Sequence, residues 1–339
     1  MTRPSVGLAV GSADRIAVEL AAGIEASAHD LGLPAGWAAD PREAADRDVL
    51  IGVGYPDYYP WLSRPLAGTT RVSWLGEPLP PADDPAVARL RRSLPMGRIL
   101  DVVSTPYRLA GRRSPPRLAD ARERAAFDHD RRINLASHVR GARTGIRLVV
   151  TSQDRVASLR RAGVASLAVP FGYHAVHAGP AKPVDDAERD IDVLVLATDA
   201  AGVPTRRARV LRAVIAELGP GCRVEVIERD SFGAERHRQL ARAKIVLNVH
   251  RAPGNFTGIR TLLVGAAGAL LVSEPVATPE PFVPGLHYVE ARPDDLASAV
   301  RTALADRARR LEVAEALQRF LVDELTMPRA LATVLDATA

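Results

Sequence analysis

The sequence predicts an α/β protein of two Rossmann-like, doubly wound parallel-sheet domains facing one another across a cleft. Short apolar, β-branched runs alternate with segments of helical periodicity, the pattern of βα units. A small, polar, proline-bearing stretch, 176–190, separates one such series from another. A chain of 339 residues is long for one domain and comfortable for two. The expected division is a first domain over 1–175, a linker over 176–190, a second domain over 191–315, and a terminal helix over 316–339 that crosses back to the first.

Composition narrows the function classes. Hydrophobic residues make up 47% and charged residues 25%, the balance of a soluble globular protein. Lys and Arg number 45 against 40 Asp and Glu, a net charge of +5. Aromatics are 4% and no nucleic-acid motif occurs, so no nucleic-acid partner is expected. A basic cleft for an anionic ligand accounts for the sign equally well. Cys222 is the single cysteine, which excludes an intrachain disulfide framework and a cysteine zinc cluster. The N-terminus meets charge too early for a signal peptide, and no run approaches the roughly 20 apolar residues of a membrane span. A cytoplasmic location follows as the expectation. Contact with a membrane surface through an arginine-rich face stays open, as does the oligomeric state.

In the first domain, Val6 to Val10 reads as a strand, and Arg15 to Leu31 as a helix with Ile16, Leu20 and Ile24 on one face. Asp48 to Val53 is a second strand, leading into GYPDYYPW, whose aromatics either pack the loop or stack on a sugar ring. Gly52-x-Gly54 lacks the third glycine of a dinucleotide fingerprint, which argues against a nicotinamide enzyme. Arg71 to Leu75 and Ile99 to Ser104 are further strands. Residues 111–143 form a basic segment, helical from Arg117 and read as a solvated helix rather than an anion-binding surface. Ile146 to Val150 is a strand, Ser152 the cap of a helix over Arg155 to Ala162, and Ala165 to Val169 a strand entering Pro170-Phe171-Gly172-Tyr173-His174.

Beyond the linker, Ile191 to Ala197 is a strand, with a helix starting near Thr205. Arg223 to Ile227 is a strand and Phe232 to Ala243 a helix. Gly285 to Val289 closes the sheet, and Asp294 and Asp295 start a helix over Leu296 to Leu304. Met327-Pro328 marks a kink before the crossing.

The richest stretch runs from Lys244 to Glu274. Ile245-Val246-Leu247 is a buried strand, His250 to Gly258 a glycine-bearing loop, Ile259 to Ala267 a helix, and Ala269 to Val272 a strand followed by Glu274. A strand, such a loop and a helix N-terminus form an anion site, because the first turn leaves N–H donors and partial positive charge unpaired. Arg251 and Arg260 add forked donors suited to a diphosphate, with Gly254, Asn255, Gly258 and Thr261 completing the cradle. The plain alternative is an ordinary βαβ unit with solvated arginines.

This stretch, with PEPFVPGLHYVEARPDDLASAVRTALAD after it, resembles the C-terminal half of GT-B glycosyltransferases of the group 1, family 4-like type, including the spore-maturation-protein-like branch. The order TS-helix-G-strand-VPFGYH is similar to the end of their first domain. The resemblance implies a GT-B fold and transfer of a sugar from a nucleoside diphosphate sugar to a small-molecule or glycan acceptor. It implies no cofactor and no metal, in agreement with the lack of an Asp-x-Asp motif around the donor cleft. It places Arg206 and Arg207 on the donor phosphates, with only one expected to face the cleft. Glu274 would meet a donor sugar hydroxyl, and His174 would stand in the cleft as a base or phosphate ligand. Glu77 becomes the acidic candidate on the acceptor side, in a loop where retaining relatives carry a histidine and this chain has Gly76. Retaining members also carry two glutamates seven residues apart, and the matching positions here are Asn255 and Leu263. A leucine cannot accept the ribose hydrogen bonds of the second glutamate. The alternatives are therefore a non-catalytic nucleotide- or glycan-binding module, or a sugar-nucleotide epimerase or phosphorylase on the same fold.

Overall fold

The computed structural model describes residues 3–10, 15–38, 40–53, 66–76, 79–84, 116–196, 206–227, 231–250 and 258–338. The first sheet consists of β1 (Val6–Val10), β2 (Ala35–Trp37), β3 (Val49–Val53), β4 (Thr70–Leu75), β5 (Arg147–Val150) and β6 (Ser166–Ala168). Its order is β2-β1-β3-β4-β5-β6 and every pairing is parallel. The second sheet consists of β7 (Ile191–Leu196), β8 (Val224–Ile227), β9 (Ala243–Asn248), β10 (Leu270–Ser273) and β11 (Val289–Glu290), in the order β11-β10-β9-β7-β8, again parallel. Each sheet sets its first strand between its second and third. Strand order therefore reverses between β1 and β3 and between β7 and β9, where open α/β sheets bind ligands beyond their C-terminal edges.

The helices are α1 (Arg15–Asp30), α2 (Pro41–Ala45), α3 (Pro116–Arg143), α4 (Gln153–Arg161), α5 (Ala175–Ala178), α6 (Arg206–Leu218), α7 (Gly233–Ala241), α8 (Gly258–Ala266), α9 (Leu296–Ala305), α10 (Arg307–Arg319) and α11 (Met327–Thr338). None in the described residues is long and apolar enough to cross a membrane. Strands such as β3, VLIGV, are buried at every position because helices cover both faces of a parallel sheet. On α1 the buried stripe is Ala17, Leu20, Ala21, Ile24 and Ala28, whereas Ile16 is 42% exposed. The alanines let the sheet and α11 approach closely, so the stripe lies one position round from the one the larger side chains suggest.

Short elements without an apolar run, β2 and α2, were not expected. Asp40 caps α2, accepting from the N–H groups of Arg42 and Glu43. Ser152 occupies the N-cap of α4 without a side-chain cap bond, since its hydroxyl instead accepts from Arg155 at 2.6 Å. β11 is two residues long, shorter than the run from Gly285 suggests. The expected strand over Ile99 to Ser104 and the aromatic loop after β3 lie outside the described residues.

The two domains share one continuous core. Val6, Leu20, Ile24 and Trp74 belong to the same apolar cluster as Val246, Leu263, Leu321, Met327 and Val334. Trp74 is fully buried, its indole N–H donates to the Val169 carbonyl at 2.9 Å, and its ring lies 5.0 Å from Phe171. That anchors the exit of β6 into the segment joining the domains. The segment is clamped rather than loose. Arg189 donates to the carbonyls of Asp185, Pro183, Ala243 and Ala267, and the Lys182 N–H donates to Ala266.

After α10 the chain makes a π-helical turn, Phe320–Glu324, and returns at Leu325 and Thr326. There Tyr173 N–H donates to Leu325 O at 2.7 Å and Met327 N–H to Tyr173 O at 2.8 Å. Helix α11 then packs on α1, burying Met327, Ala330, Leu331 and Val334. Pro328 sits in the first turn of α11, where its missing N–H breaks no helical bond.

Candidate functional site

The second sheet's reversal point lies between β7 and β9, and three side chains converge on its C-terminal edge. Arg206 opens α6, the helix that follows β7. His250 lies two residues past the end of β9, and Glu274 directly follows β10. Arg206 meets the Glu274 carboxylate with two parallel bonds, Nη2 to Oε1 at 2.5 Å and Nη1 to Oε2 at 3.1 Å. The backbone N–H of His250 donates to the same Oε2 at 2.6 Å, and the His250 carbonyl accepts from Arg206 at 3.0 Å. Glu274 is 2% exposed. A buried carboxylate held by a forked guanidinium and a backbone donor is a structural tie, because stripping one partner would leave an unpaired charge. Glu274, expected to meet a sugar hydroxyl, has each of its oxygens bonded within the protein.

Arg260 stands on the first turn of α8, one helix over. It donates to Asn248 Oδ1, and among the described residues no carboxylate pairs with it. Burial, together with the neighbouring Arg207 guanidinium, lowers its pKa to about 10. Arg206 and Arg207 are consecutive, so only one was expected on the cleft side. Here Arg206 is tied to Glu274 while Arg207, buried, is the one felt by Arg260. Positive charge therefore gathers at the N-terminal end of α8, where Gly258 begins the helix and its first N–H groups add partial positive charge.

His250 completes the edge. Burial and the surrounding Arg260, Arg206 and Arg207 hold its pKa down to about 4, against the opposing pull of Glu274. Its imidazole is neutral at physiological pH. The sequence reading passed over it, since a lone histidine at a strand end carries no signal until three arginines fold around it.

The other expected residues are placed as follows. Arg251, Gly254, Asn255 and Glu77 lie outside the described residues. Thr261 is fully buried and its hydroxyl has no partner, so it packs within α8 rather than facing the edge. Leu263 is 5% exposed and part of the core shared by both domains. His174 caps α5 through Nδ1, which accepts from Val176 N–H at 3.2 Å, and its Nε2 lies 3.1 Å from Asp30 on α1. Both ring nitrogens of this residue, expected as a base or phosphate ligand, are thus engaged where α5 meets α1. The one Asp-x-Asp near the second sheet, Asp190-Ile191-Asp192, lies at the opposite, N-terminal edge of β7 and is bound to Arg242, Arg223 and Lys244.

The domains also meet along this side. Glu19 on α1 accepts from the Gly233 N–H at 2.8 Å and from Arg236 at 2.7 Å, capping α7 of the other domain. Arg15 lies 4.3 Å above the Phe232 ring.

Residues 206–336 match the Glyco_trans_1_2 family, described as glycosyl transferase-like. No curated protein sequence matches the chain. Among solved structures it resembles the Anabaena protein Alr3699/HepE in complex with UDP and glucose, with a TM-score of 0.60 and 11% identity over 99% of both chains. The same protein in complex with UDP-glucose gives 0.60 and 12%, over 98% of this chain and 99% of that one. An alpha-glucosyltransferase in complex with UDP and a 13-mer DNA containing a HMU base gives 0.57 and 10%, over 99% of each. At these identities the likeness speaks for the architecture. Two parallel-sheet domains with reversal points at matching places give this chain the GT-B fold of those structures, and its residues 206–336 are similar to a glycosyl transferase-like family.

Proposed function

We propose that the chain moves a sugar from a nucleoside diphosphate sugar to an acceptor held by the first domain, without a metal ion. The observation that carries this reading is Arg260: a half-buried guanidinium with no carboxylate partner among the described residues, beside Arg207 and on the first turn of α8. A cluster of like charges is costly unless an anion joins it, and a diphosphate supplies that anion in the geometry guanidinium forks favour. The UDP and UDP-glucose complexes of the structural relatives support uracil as the first base to test.

In the proposed reaction an acceptor hydroxyl oxygen bonds to the anomeric carbon as the bond from that carbon to the diphosphate breaks. The electron pair leaves with the diphosphate, where Arg207, Arg260 and the α8 N-terminus stabilise it. Glu77 is the proposed acceptor of the hydroxyl proton. A cytoplasmic place of action belongs to the same proposal.

Purified protein supplied with UDP-glucose and a broad acceptor panel should release UDP. The rate should be unchanged by a chelator and fall at least about tenfold in Arg260→Ala. A non-catalytic nucleotide-binding module is the second reading, favoured because Glu274 is committed internally and Leu263 is sealed in the core. Binding of UDP without turnover across donor and acceptor panels would select it.

A further inference from the structure

The hydrogen bonds beneath the arginine cluster fix more than they first show. An arginine can only donate, so the bond from Arg260 to Asn248 assigns Oδ1 as the acceptor and turns Nδ2 toward Ser273 Oγ, at 2.8 Å. Ser273 Oγ also lies 3.0 Å from the carbonyl oxygen of Glu274, which can only accept, so the hydroxyl proton goes there. Both lone pairs of Ser273 Oγ then receive protons, one from Asn248 Nδ2 and one from His250 Nε2 at 3.2 Å. With all three contacts of Ser273 made at once, the assigned tautomer of His250 carries its proton on Nε2 and leaves Nδ1 bare. That atom is buried, on a residue 4% exposed, and has no hydrogen-bond partner. The ring is held by its contact to Ser273 and by burial, and the backbone by Glu274 and Arg206.

Set against its neighbours, this lone pair is unusual. The described arginines at the edge only donate, each oxygen of Glu274 already accepts from Arg206, both amide atoms of Asn248 are engaged, and Leu263 offers nothing polar. A diphosphate brings only acceptors and cannot satisfy it. A hydroxyl can, and in a nucleoside diphosphate sugar the hydroxyl-bearing rings are joined directly to the two ends of the diphosphate, with the base one ring further off.

We infer that Nδ1 of His250 accepts a hydrogen bond from a sugar-ring hydroxyl of the bound nucleotide sugar, on the ribose or on the transferred sugar, and so sets the site's preference for hydroxylated ligands. The inference rests on the proposed function and deepens it. Burial, aided by the surrounding arginines, resists protonation of the imidazole and keeps the acceptor available at physiological pH.

Calorimetric titration of the full chain with pyrophosphate, UDP, 2′-deoxy-UDP, 3′-deoxy-UDP, UDP-glucose and UDP-2-deoxyglucose tests it, in the unaltered protein, His250→Phe and His250→Asn. In the unaltered protein, removing the relevant hydroxyl should weaken binding about tenfold. The same deletion should cost nothing in His250→Phe. His250→Asn, which keeps an acceptor near the Nδ1 position, should retain the preference. The deoxy-nucleotide and deoxy-sugar arms tell ribose from transferred sugar. Equal penalties in all three proteins would overturn the inference, and so would a loss of pyrophosphate affinity in His250→Phe as large as its loss for UDP, which marks a purely structural residue. Failure of the unaltered protein to bind either pyrophosphate or UDP would instead overturn the proposed function, and the inference with it.

Discussion

At the residue scale the site is a set of guanidiniums in unequal circumstances. Arg206 is neutralised by Glu274 and Arg260 is not. Glu274→Gln should therefore act on stability first. It removes the charge opposite a tied guanidinium and should lower the unfolding free energy by about 3 kcal/mol, read by urea denaturation. Nucleotide affinity should fall as well, since Arg206 and the His250 backbone lose their common anchor. His174→Ala should lower the melting temperature and leave nucleotide affinity within about twofold, because the ring caps α5 and touches Asp30. Turnover falling by orders of magnitude at unchanged stability would show a catalytic role. Arg260 was singled out in the sequence because a glycine-bearing loop before a helix is a local pattern, whereas Arg206 and Arg207 came from the family resemblance. The Arg206–Glu274 tie and the bare nitrogen of His250 were not, because each joins residues far apart in the chain, and a tautomer is set by neighbours that only the fold assembles.

At the element scale, the strand-and-helix alternation was readable over most of the described residues, with most boundaries shifted by a residue or two and the strand from Gly285 displaced to Val289–Glu290. Buried parallel strands are uniformly apolar and need no partner to be recognised. What escaped were elements held by context: β2, carried by pairing with β1, and the π-helical turn before α11. Gly172 shows how tightly such context can bind. A Cβ there would lie 2.2 Å from the Thr326 backbone, at the place where the returning chain is bonded to Tyr173. Gly172→Ala should destabilise the protein by about 1–3 kcal/mol and raise the protease sensitivity of the segment entering α11. A variant as stable as the parent would show that the crossing is not seated as described.

At the scale of the whole molecule, the domains are joined by a histidine-bearing seam. His177, on α5, is 2% exposed and both ring nitrogens lack partners. It packs against Gly23 on α1, with His174 on its own helix and Arg236 and His237 on α7 as charged or titratable neighbours. Burial, then those cationic neighbours, lowers its pKa to about 3. In the unfolded chain the ordinary value is 6.5. The unfolded state thus binds the extra proton between these values, and stability present above pH 6.5 should be lost progressively as pH falls toward 3. The loss should amount to a few kcal/mol, measured as a falling melting temperature, and His177→Phe should flatten it if the ring is accommodated.

The central claim is that two domains of nucleotide-binding architecture hold a diphosphate at the C-terminal edge of the second. Titration of UDP into the unaltered protein and into Arg260→Gln, at two salt concentrations, tests it most directly. The account expects saturable binding to the unaltered protein that weakens with salt, and affinity at least about tenfold lower in the variant. Equal affinity in the two proteins, or no binding to either, would contradict it.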